Sequence, residues 1–299
     1  MKMKRRMFLK SSVAGCVGLA VARDAGADET QETAKWRIGC YTRPWDKYEY
    51  RVALDAIAEA GYRYVGLMTT KSETHLVVSV KTTPEEAHAI GDECRKRNLK
   101  VASVYGGDIP VAESLEAGIK GLRGLIDCCA IIGVENLMMG GVGDQKIFDA
   151  YYNAIAECCP YAAEKKMGIS VKPHGGLNAT GPQCRAIINR VAQKNFGLWY
   201  DPGNIFYYSD GNLDPVDDAA SVDGIVVGMS VKDYLPPKNV SVTPGAGKVD
   251  FPKVMARLAK GGFTSGPLIV ECLAPGEPPA LLDEARKARL FLETLTASL

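Results

Sequence analysis

The 299-residue chain has an ordinary globular composition, with 46% hydrophobic and 24% charged residues, and is long enough for one large α/β domain or two smaller ones. Its formal net charge of +1 hides an asymmetry, because the first 27 residues carry six basic residues and one acidic residue, which leaves 30 basic and 34 acidic residues in the remainder. A mildly acidic body lacks the basic surface that nucleic-acid binding requires. No apolar run reaches the roughly 18 residues needed to span a bilayer. Composition therefore argues against a nucleic-acid partner and a membrane span.

The N-terminal segment 1–27 is typical of an export signal. Its "KRRMFLK" places two adjacent arginines before a short hydrophobic run, which is the form read by the twin-arginine export machinery. The small residues "AGA" predict cleavage before Asp28, with 28–35 as a short linker, whereas "VAGC" offers a lipid anchor on Cys16 as the alternative. We therefore expect a periplasmic or exported protein, the other possibility being a basic cytosolic N-terminus.

The nine cysteines form an odd count, and their spacing indicates neither disulfides nor a zinc site. Two adjacent pairs, Cys128-Cys129 and Cys158-Cys159, lie inside helical patterns. We predict that the thiols are reduced and packed in the core.

From residue 36 to residue 299, β-rich runs alternate with longer helical patterns, and no linker interrupts them. The strand candidates are 36–42, 63–68, 99–105, 135–140, 168–174, 196–201, 224–232 and 266–272. The helix candidates are 49–60, 84–97, 112–132, 146–166, 181–194, 251–261 and 280–297. Eight strands alternating with helices favour a single-domain (β/α)8 TIM barrel over 36–299. The alternative, a doubly wound sheet, lacks a glycine-rich phosphate loop after its first strand.

Polar residues collect where the late strands of this barrel end, and the carboxyl ends of barrel strands face the reaction site. The stretch "GISVKPHGG" alternates with the period of a strand, which places Lys172 and His174 on the same face. The three following strands end at Asp201, Lys232 and Glu271. In the loop after the first strand, Arg43 and Trp45 are candidates for contact with a ligand, since an indole offers an apolar face; the alternative is a packed loop.

The segments "FGLWYDPGN", "SVKDY" and "PGAGKVDFPKVMARLAKGGFTSGPLIVE" resemble the sugar isomerase/epimerase superfamily with a xylose isomerase-like barrel, over about 36–295. The resemblance implies a TIM barrel that binds one divalent cation through Glu, Asp, His and Glu at the ends of strands five to eight. It also implies that the two glutamates move a proton beside a carbonyl group. Asp201 and Glu271 match this pattern, whereas Lys172 stands for the first glutamate and Ser230 for the histidine.

This departure suggests that a lysine replaces the ion. A divalent cation prefers carboxylate or neutral imidazole ligands, and an ammonium group beside it is repelled. We predict that Lys172 pairs with Asp201 and Glu271, and that no cofactor is needed. The alternatives are a divalent metal held by His174, Asp201 and Glu271 after Lys172 moves away, and a structural ion pair in an inactive barrel.

The predicted function is a sugar or keto-sugar isomerase/epimerase-like enzyme that abstracts a proton next to a carbonyl. Glu271 would be the base, His174 the acid or second base, and Lys172 would stabilise the enediolate oxygen. The predicted substrate-binding residues are Asp201, Lys232, Arg43 and Trp45. The alternatives are a lyase acting on oxidised (keto) glycosides and a sugar-binding barrel without catalysis. A Schiff base on Lys172 is disfavoured, because neighbouring carboxylates keep a lysine protonated.

Overall fold

The computed structural model describes residues 35–297 and residue 299. The predicted export signal, its cleavage site and the alternative lipid anchor at Cys16 all lie outside the described residues. In the part of the chain that is described, no helix combines the length and the apolar character that a membrane span needs.

Eight parallel strands close into a barrel in the order of the sequence, with β1 paired to β8. The strands are β1 Trp36–Tyr41, β2 Tyr64–Leu67, β3 Lys100–Tyr105, β4 Asn136–Met139, β5 Gly168–Val171, β6 Phe196–Tyr200, β7 Val226–Val231 and β8 Gly266–Val270. The TIM barrel and all eight strands are thus confirmed. β5 is shorter than predicted and ends at Val171, because Pro173 has no N–H with which to continue the ladder. Lys172 and His174 therefore follow the strand and do not belong to it.

Helices surround the barrel and begin at sequence signals that cap their free N–H groups. They are α1 Tyr50–Glu59, α2 Pro84–Lys96, α3 Leu115–Ile132, α4 Gln145–Glu164, α5 Gly181–Val191, α6 Pro202–Tyr208, α7 Pro215–Asp218, α8 Phe251–Lys260 and α9 Pro278–Thr296. At α2, Thr83 and Glu86 form a reciprocal capping box. The short helices α6 and α7 were not predicted, although each starts with Asp-Pro and uses the aspartate as its cap.

The inside of the barrel is filled by side chains and is not a pore. The inner cluster consists of Tyr41, Tyr64, Met68, Ala102, Met138, Trp199 and Ile269. Glycines make room for its largest rings, since a Cβ on Gly66 would lie 2.1 Å from Tyr41 and one on Gly228 2.4 Å from Trp199. A larger apolar cluster fills the layer between strands and helices. All eight described cysteines are free and buried, which confirms the predicted core packing for them.

Candidate active site

Lys172 is buried at the carboxyl end of the barrel, immediately after β5. Its Nζ lies 2.8 Å from Asp201 Oδ2 and 2.7 Å from Glu271 Oε2, and none of the three side chains is more than 1% exposed. The two carboxylates come from the ends of β6 and β8, which flank β7. The predicted pairing of Lys172 with both acids is therefore present in the structure.

A second ammonium group bridges the same two carboxylates. Lys232, at the end of β7, places its Nζ 3.0 Å from Asp201 Oδ2 and 2.6 Å from Glu271 Oε1. It also donates to the side-chain oxygen of Asn204 at 2.9 Å. We call Lys172, Lys232, Asp201 and Glu271 the charge cluster.

The two lysines differ in how many donors they have left. A lysine ammonium group carries three N–H bonds. Lys232 has three oxygen partners within reach, since it donates to Asp201 and Asn204 and forms an ion pair with Glu271. Among the described residues Lys172 has two, since it donates to Glu271 and forms an ion pair with Asp201, so that one N–H is left without a protein acceptor. We predicted that Lys232 binds substrate. Its contacts place it better to bridge the two carboxylates than to donate to a ligand.

Arg43 connects the charge cluster to solvent. Its Nη1 donates to Glu271 Oε1 at 2.6 Å, while 36% of its side chain remains exposed. Together with Lys172 and Lys232 it gives three cations around two carboxylates. The connected group therefore carries one surplus positive charge.

Two asparagines that sequence reasoning missed tie together the loops that carry the cluster. Asn178 donates through Nδ2 to the carbonyl oxygens of Gly140, 2.8 Å away, and Lys172, 2.7 Å away. Asn204 donates through its side chain to the carbonyl oxygen of Pro173 at 2.7 Å, and its backbone N–H donates to Asp201 Oδ1, the cap of α6, at 2.9 Å. The loops after β4, β5 and β6 thus share hydrogen bonds, which fixes the positions of the charged side chains.

Asp233 organises the loop after β7. It lies next to Lys232 in the sequence, but its carboxylate accepts backbone N–H bonds, at 2.8 to 3.0 Å, from Tyr234, Gly245, Gly247 and Val249. Asp233 is fully buried, so the adjacent "KD" residues do not form a surface pair.

The charges of the cluster reinforce one another. Burial raises the pKa of the Glu271 carboxyl, but Lys172, Lys232 and Arg43 outweigh this and hold the pKa well below its usual range. Burial lowers the pKa of Lys172, but Asp201 and Glu271 more than offset this, and the pKa lies above that of an ordinary lysine. Lys172 is therefore protonated at neutral pH, which argues against a Schiff base.

His174 lies at the mouth of the barrel between two tyrosines. Its ring centroid is 6.1 Å from that of Tyr105 and 5.9 Å from that of Tyr208, and its side chain is accessible to solvent. Desolvation in the cleft and the nearby Lys172 ammonium group lower the pKa of the imidazole to about 4. His174 is consequently neutral at pH 7 and able to accept a proton.

Trp45 does not reach this cleft. The short 3-10 turn Arg43–Trp45 directs the indole into the main core, where it is 1% exposed. The structure argues against the predicted contact between Trp45 and a sugar, because the ring packs among apolar residues of the main core instead of against the charge cluster.

The donor set of the charge cluster does not fit a divalent metal ion. Glu271 uses both carboxylate oxygens on cations, and Asp201 uses Oδ2 on both lysines and Oδ1 on a backbone N–H. Within residues 35–297, no three His, Cys, Asp or Glu side chains are grouped so as to hold a metal. A site made from His174, Asp201 and Glu271 would require both ammonium groups to move away.

The chain belongs to the family of xylose isomerase-like TIM barrels, whose pattern matches residues 54–295. No curated protein matches the chain. Among solved structures, a xylose isomerase domain protein from Planctomyces limnophilus is 18% identical, with a TM-score of 0.68, and the match covers 88% of this chain and 98% of that one.

Two sugar epimerases have similar folds. The D-allulose 3-epimerase from Methylomonas sp., solved in complex with D-allulose, is 17% identical with a TM-score of 0.67, over 87% of this chain and 97% of that one. The D-psicose 3-epimerase from Clostridium cellulolyticum H10, solved with D-tagatose, is 11% identical with a TM-score of 0.69, over 87% of this chain and 99% of that one. At such identities the similarity shows the shared fold.

Proposed function

We propose that the protein is a carbohydrate isomerase/epimerase-like enzyme that moves a proton beside a carbonyl group. The observation that carries this proposal is the charge cluster, in which two buried ammonium groups bridge two carboxylates at the reaction face of the barrel. Fixed positive charge in a site shielded from water stabilises negative charge that develops on a substrate oxygen. The sugar complexes of similarly folded epimerases agree with a carbohydrate substrate.

In the proposed mechanism, Lys172 donates its remaining N–H to the carbonyl oxygen of the sugar. Removal of a proton from the adjacent carbon then places negative charge on this oxygen, where Lys172 and the surplus charge of Arg43 stabilise it. Lys232 holds the two carboxylates in place. Because one donor removed from such a site typically costs about 10²–10³ in rate, Lys172 should be indispensable for turnover.

We assign the proton acceptor to His174 and no longer to Glu271. Both oxygens of Glu271 are engaged by cations, and its low pKa makes it a poor base. His174 is neutral and accessible, although a pKa of about 4 makes it a weak base. Proton removal therefore depends strongly on stabilisation of the enediolate, which the three cations supply.

The test is solvent deuterium incorporation. We would incubate the purified protein in D2O with D-fructose, D-tagatose, D-allulose and a keto-glycoside, and follow exchange at the carbon beside the carbonyl by NMR. Lys172→Met and His174→Gln should abolish exchange. The matched control is Lys96→Met, since Lys96 pairs with Glu93 on the exposed end of α2, away from the reaction face. Exchange that continues in Lys172→Met would refute the proposal.

One observation favours a second candidate, a sugar-binding protein without catalysis. The engagement of every Glu271 oxygen leaves only the weakly basic His174 to take a proton. In that case a sugar would raise the melting temperature of the protein without any deuterium exchange. Release of a leaving group from the keto-glycoside would instead identify a lyase, in which the same enolate expels its neighbouring substituent.

We also propose that the protein is exported through the N-terminal segment 1–27. The two adjacent arginines before a short hydrophobic run support this, and glycans outside the cytosol are suitable substrates. Replacement of Arg5 and Arg6 by lysine should retain the protein in the cytoplasm of the producing cell, as measured by fractionation and by the mass of the N-terminus. Export of the variant at the level of the unaltered chain would contradict the assignment.

A further inference from the structure

The surplus positive charge of the site is concentrated on Arg43. Lys172 and Lys232 are balanced by Asp201 and Glu271, so that the Arg43 guanidinium is the cation without a carboxylate of its own. Two nearby acids do not supply the missing charge. Asp233 faces four backbone N–H groups, and Asp46 is exposed beside the equally exposed Lys47.

Arg43 also has donors to spare. A guanidinium group carries five N–H bonds in a planar fork that suits bidentate binding of a carboxylate. Within the described residues, its only side-chain hydrogen bond is the one from Nη1 to Glu271, so the remaining N–H groups are open to a ligand.

These donors border a cavity of about 290 Å³ next to the charge cluster. Arg43 and Glu271 form its inner wall, Asp46, Lys47 and Ser241 add further polar groups, and Leu273 adds an apolar one. The opposite charges of Asp46 and Lys47 cancel and leave the surplus charge on Arg43. Its size is close to the lower end of the range for small-molecule sites, about 300–1,000 Å³. The cavity can therefore hold one sugar-sized group or the acidic end of a longer sugar.

We propose that the substrate is a sugar acid, whose carboxylate binds Arg43 in this cavity while its carbonyl oxygen reaches Lys172. Lys172 does not line the cavity itself, but it pairs with Glu271 of the inner wall, on the oxygen opposite to the one that Arg43 contacts. This inference rests on the proposed function, because it takes the charge cluster as a carbohydrate site. An anionic ligand completes the charge balance of three cations and two carboxylates. A neutral sugar would leave the exposed edge of Arg43 to water.

The experiment compares acidic and neutral sugars of the same shape by isothermal titration calorimetry at low salt. The probes are D-glucuronate against D-glucose and D-galacturonate against D-galactose, with acetate as a carboxylate without a sugar. We expect each acid to bind about tenfold or more tighter than its neutral partner, since charge-assisted bidentate hydrogen bonds are the stronger ones. Arg43→Gln should reduce this preference to within about twofold, whereas Arg95→Gln, on the exposed end of α2, should keep it.

The outcomes separate this inference from the proposed function. Equal affinity for acid and neutral sugar, or a preference that survives in Arg43→Gln, overturns the inference. Binding of acetate as tightly as of the sugar acids also overturns it, since a bare carboxylate would then suffice. Deuterium exchange on neutral sugars without acid preference would leave the proposed function standing alone, and acid preference without exchange would make the site a sugar-acid binding site.

Discussion

The charge cluster predicts that its members differ in what they contribute to stability. Lys172→Met removes one ammonium group, but Asp201 and Glu271 both keep Lys232, at 3.0 and 2.6 Å, and Glu271 also keeps Arg43. No carboxylate is left without a cation. Glu271→Gln instead leaves Lys172 and Lys232 sharing Asp201, with Arg43 unpaired.

These changes in charge pairing give an order of magnitude for the free energy of unfolding that each variant loses. Removal of one partner from a buried ion pair costs about 3–5 kcal/mol when the other charge is left uncompensated. We expect Lys172→Met to cost about 2–3 kcal/mol, below or at the low end of this range. The reason is that the net charge of the charge cluster together with Arg43 falls from +1 to 0. We expect about 4–5 kcal/mol for Glu271→Gln, because the net charge rises to +2 in a buried site.

Urea unfolding followed by circular dichroism, together with thermal melts, measures both costs. At about 2 °C per kcal/mol for a domain of this size, the melting temperature should fall by about 5 °C in Lys172→Met and about 10 °C in Glu271→Gln. Lys96→Met is the control and should change little, since exposed ion pairs contribute about 0–1 kcal/mol. The double variant Lys172→Met/Glu271→Gln restores the net charge of +1, so its cost should be smaller than the sum of the two.

Two results would refute this reasoning. If Lys172→Met were more destabilising than Glu271→Gln, the surplus charge would not be positive. If both variants unfolded like the Lys96→Met control, the side chains would not form a buried cluster at all.

Two further predictions concern the mouth of the barrel. The pKa of His174 is about 4 in the fold against 6.5 for an ordinary histidine, so its contribution to stability is complete above pH 6.5 and is lost as the pH falls towards 4. In His174→Gln, the free energy of unfolding measured with urea should therefore fall less steeply between pH 6.5 and pH 4 than in the unaltered protein. An equal dependence on pH in both proteins would contradict the lowered pKa. Asp233→Asn removes the charge that four backbone N–H groups share and should cost about 2 kcal/mol, with faster proteolysis between Leu235 and Gly247. Unchanged proteolysis would show that this loop is held by other contacts.

The barrel could be predicted from the sequence because its elements are local patterns. Strand runs and helical patterns each depend on a few neighbouring residues, and eight repeats of strand and helix leave few architectures. The pairing of Lys172 with Asp201 and Glu271 followed from the same logic, since strand ends meet at one mouth of a barrel.

The remaining features depend on how separate loops meet in space. The role of Lys232 could not be read from "SVKD", because its position between two acids depends on the strand register and tilt around the whole barrel. The sequence did not reveal the position of Trp45, because the direction of its indole depends on one short 3-10 turn. Asn178 and Asn204 act through carbonyl oxygens of other loops, which no sequence spacing reveals.

Two ammonium groups can replace the charge of a divalent ion, but they do not provide the exchangeable coordination positions of a metal. The pair Lys172 and Lys232 carries the same formal charge of +2 that a divalent cation would bring to Asp201 and Glu271. A metal ion can exchange a bound water for a substrate oxygen, whereas each ammonium group has three N–H bonds at most. Among the described residues Lys232 has three oxygen partners and Lys172 has two, so that one N–H of Lys172 is left without a protein acceptor. Under the proposed function such a site would hold a single substrate oxygen at a time, and a second anchoring point would have to come from elsewhere, which is the role that we propose for the free edge of Arg43.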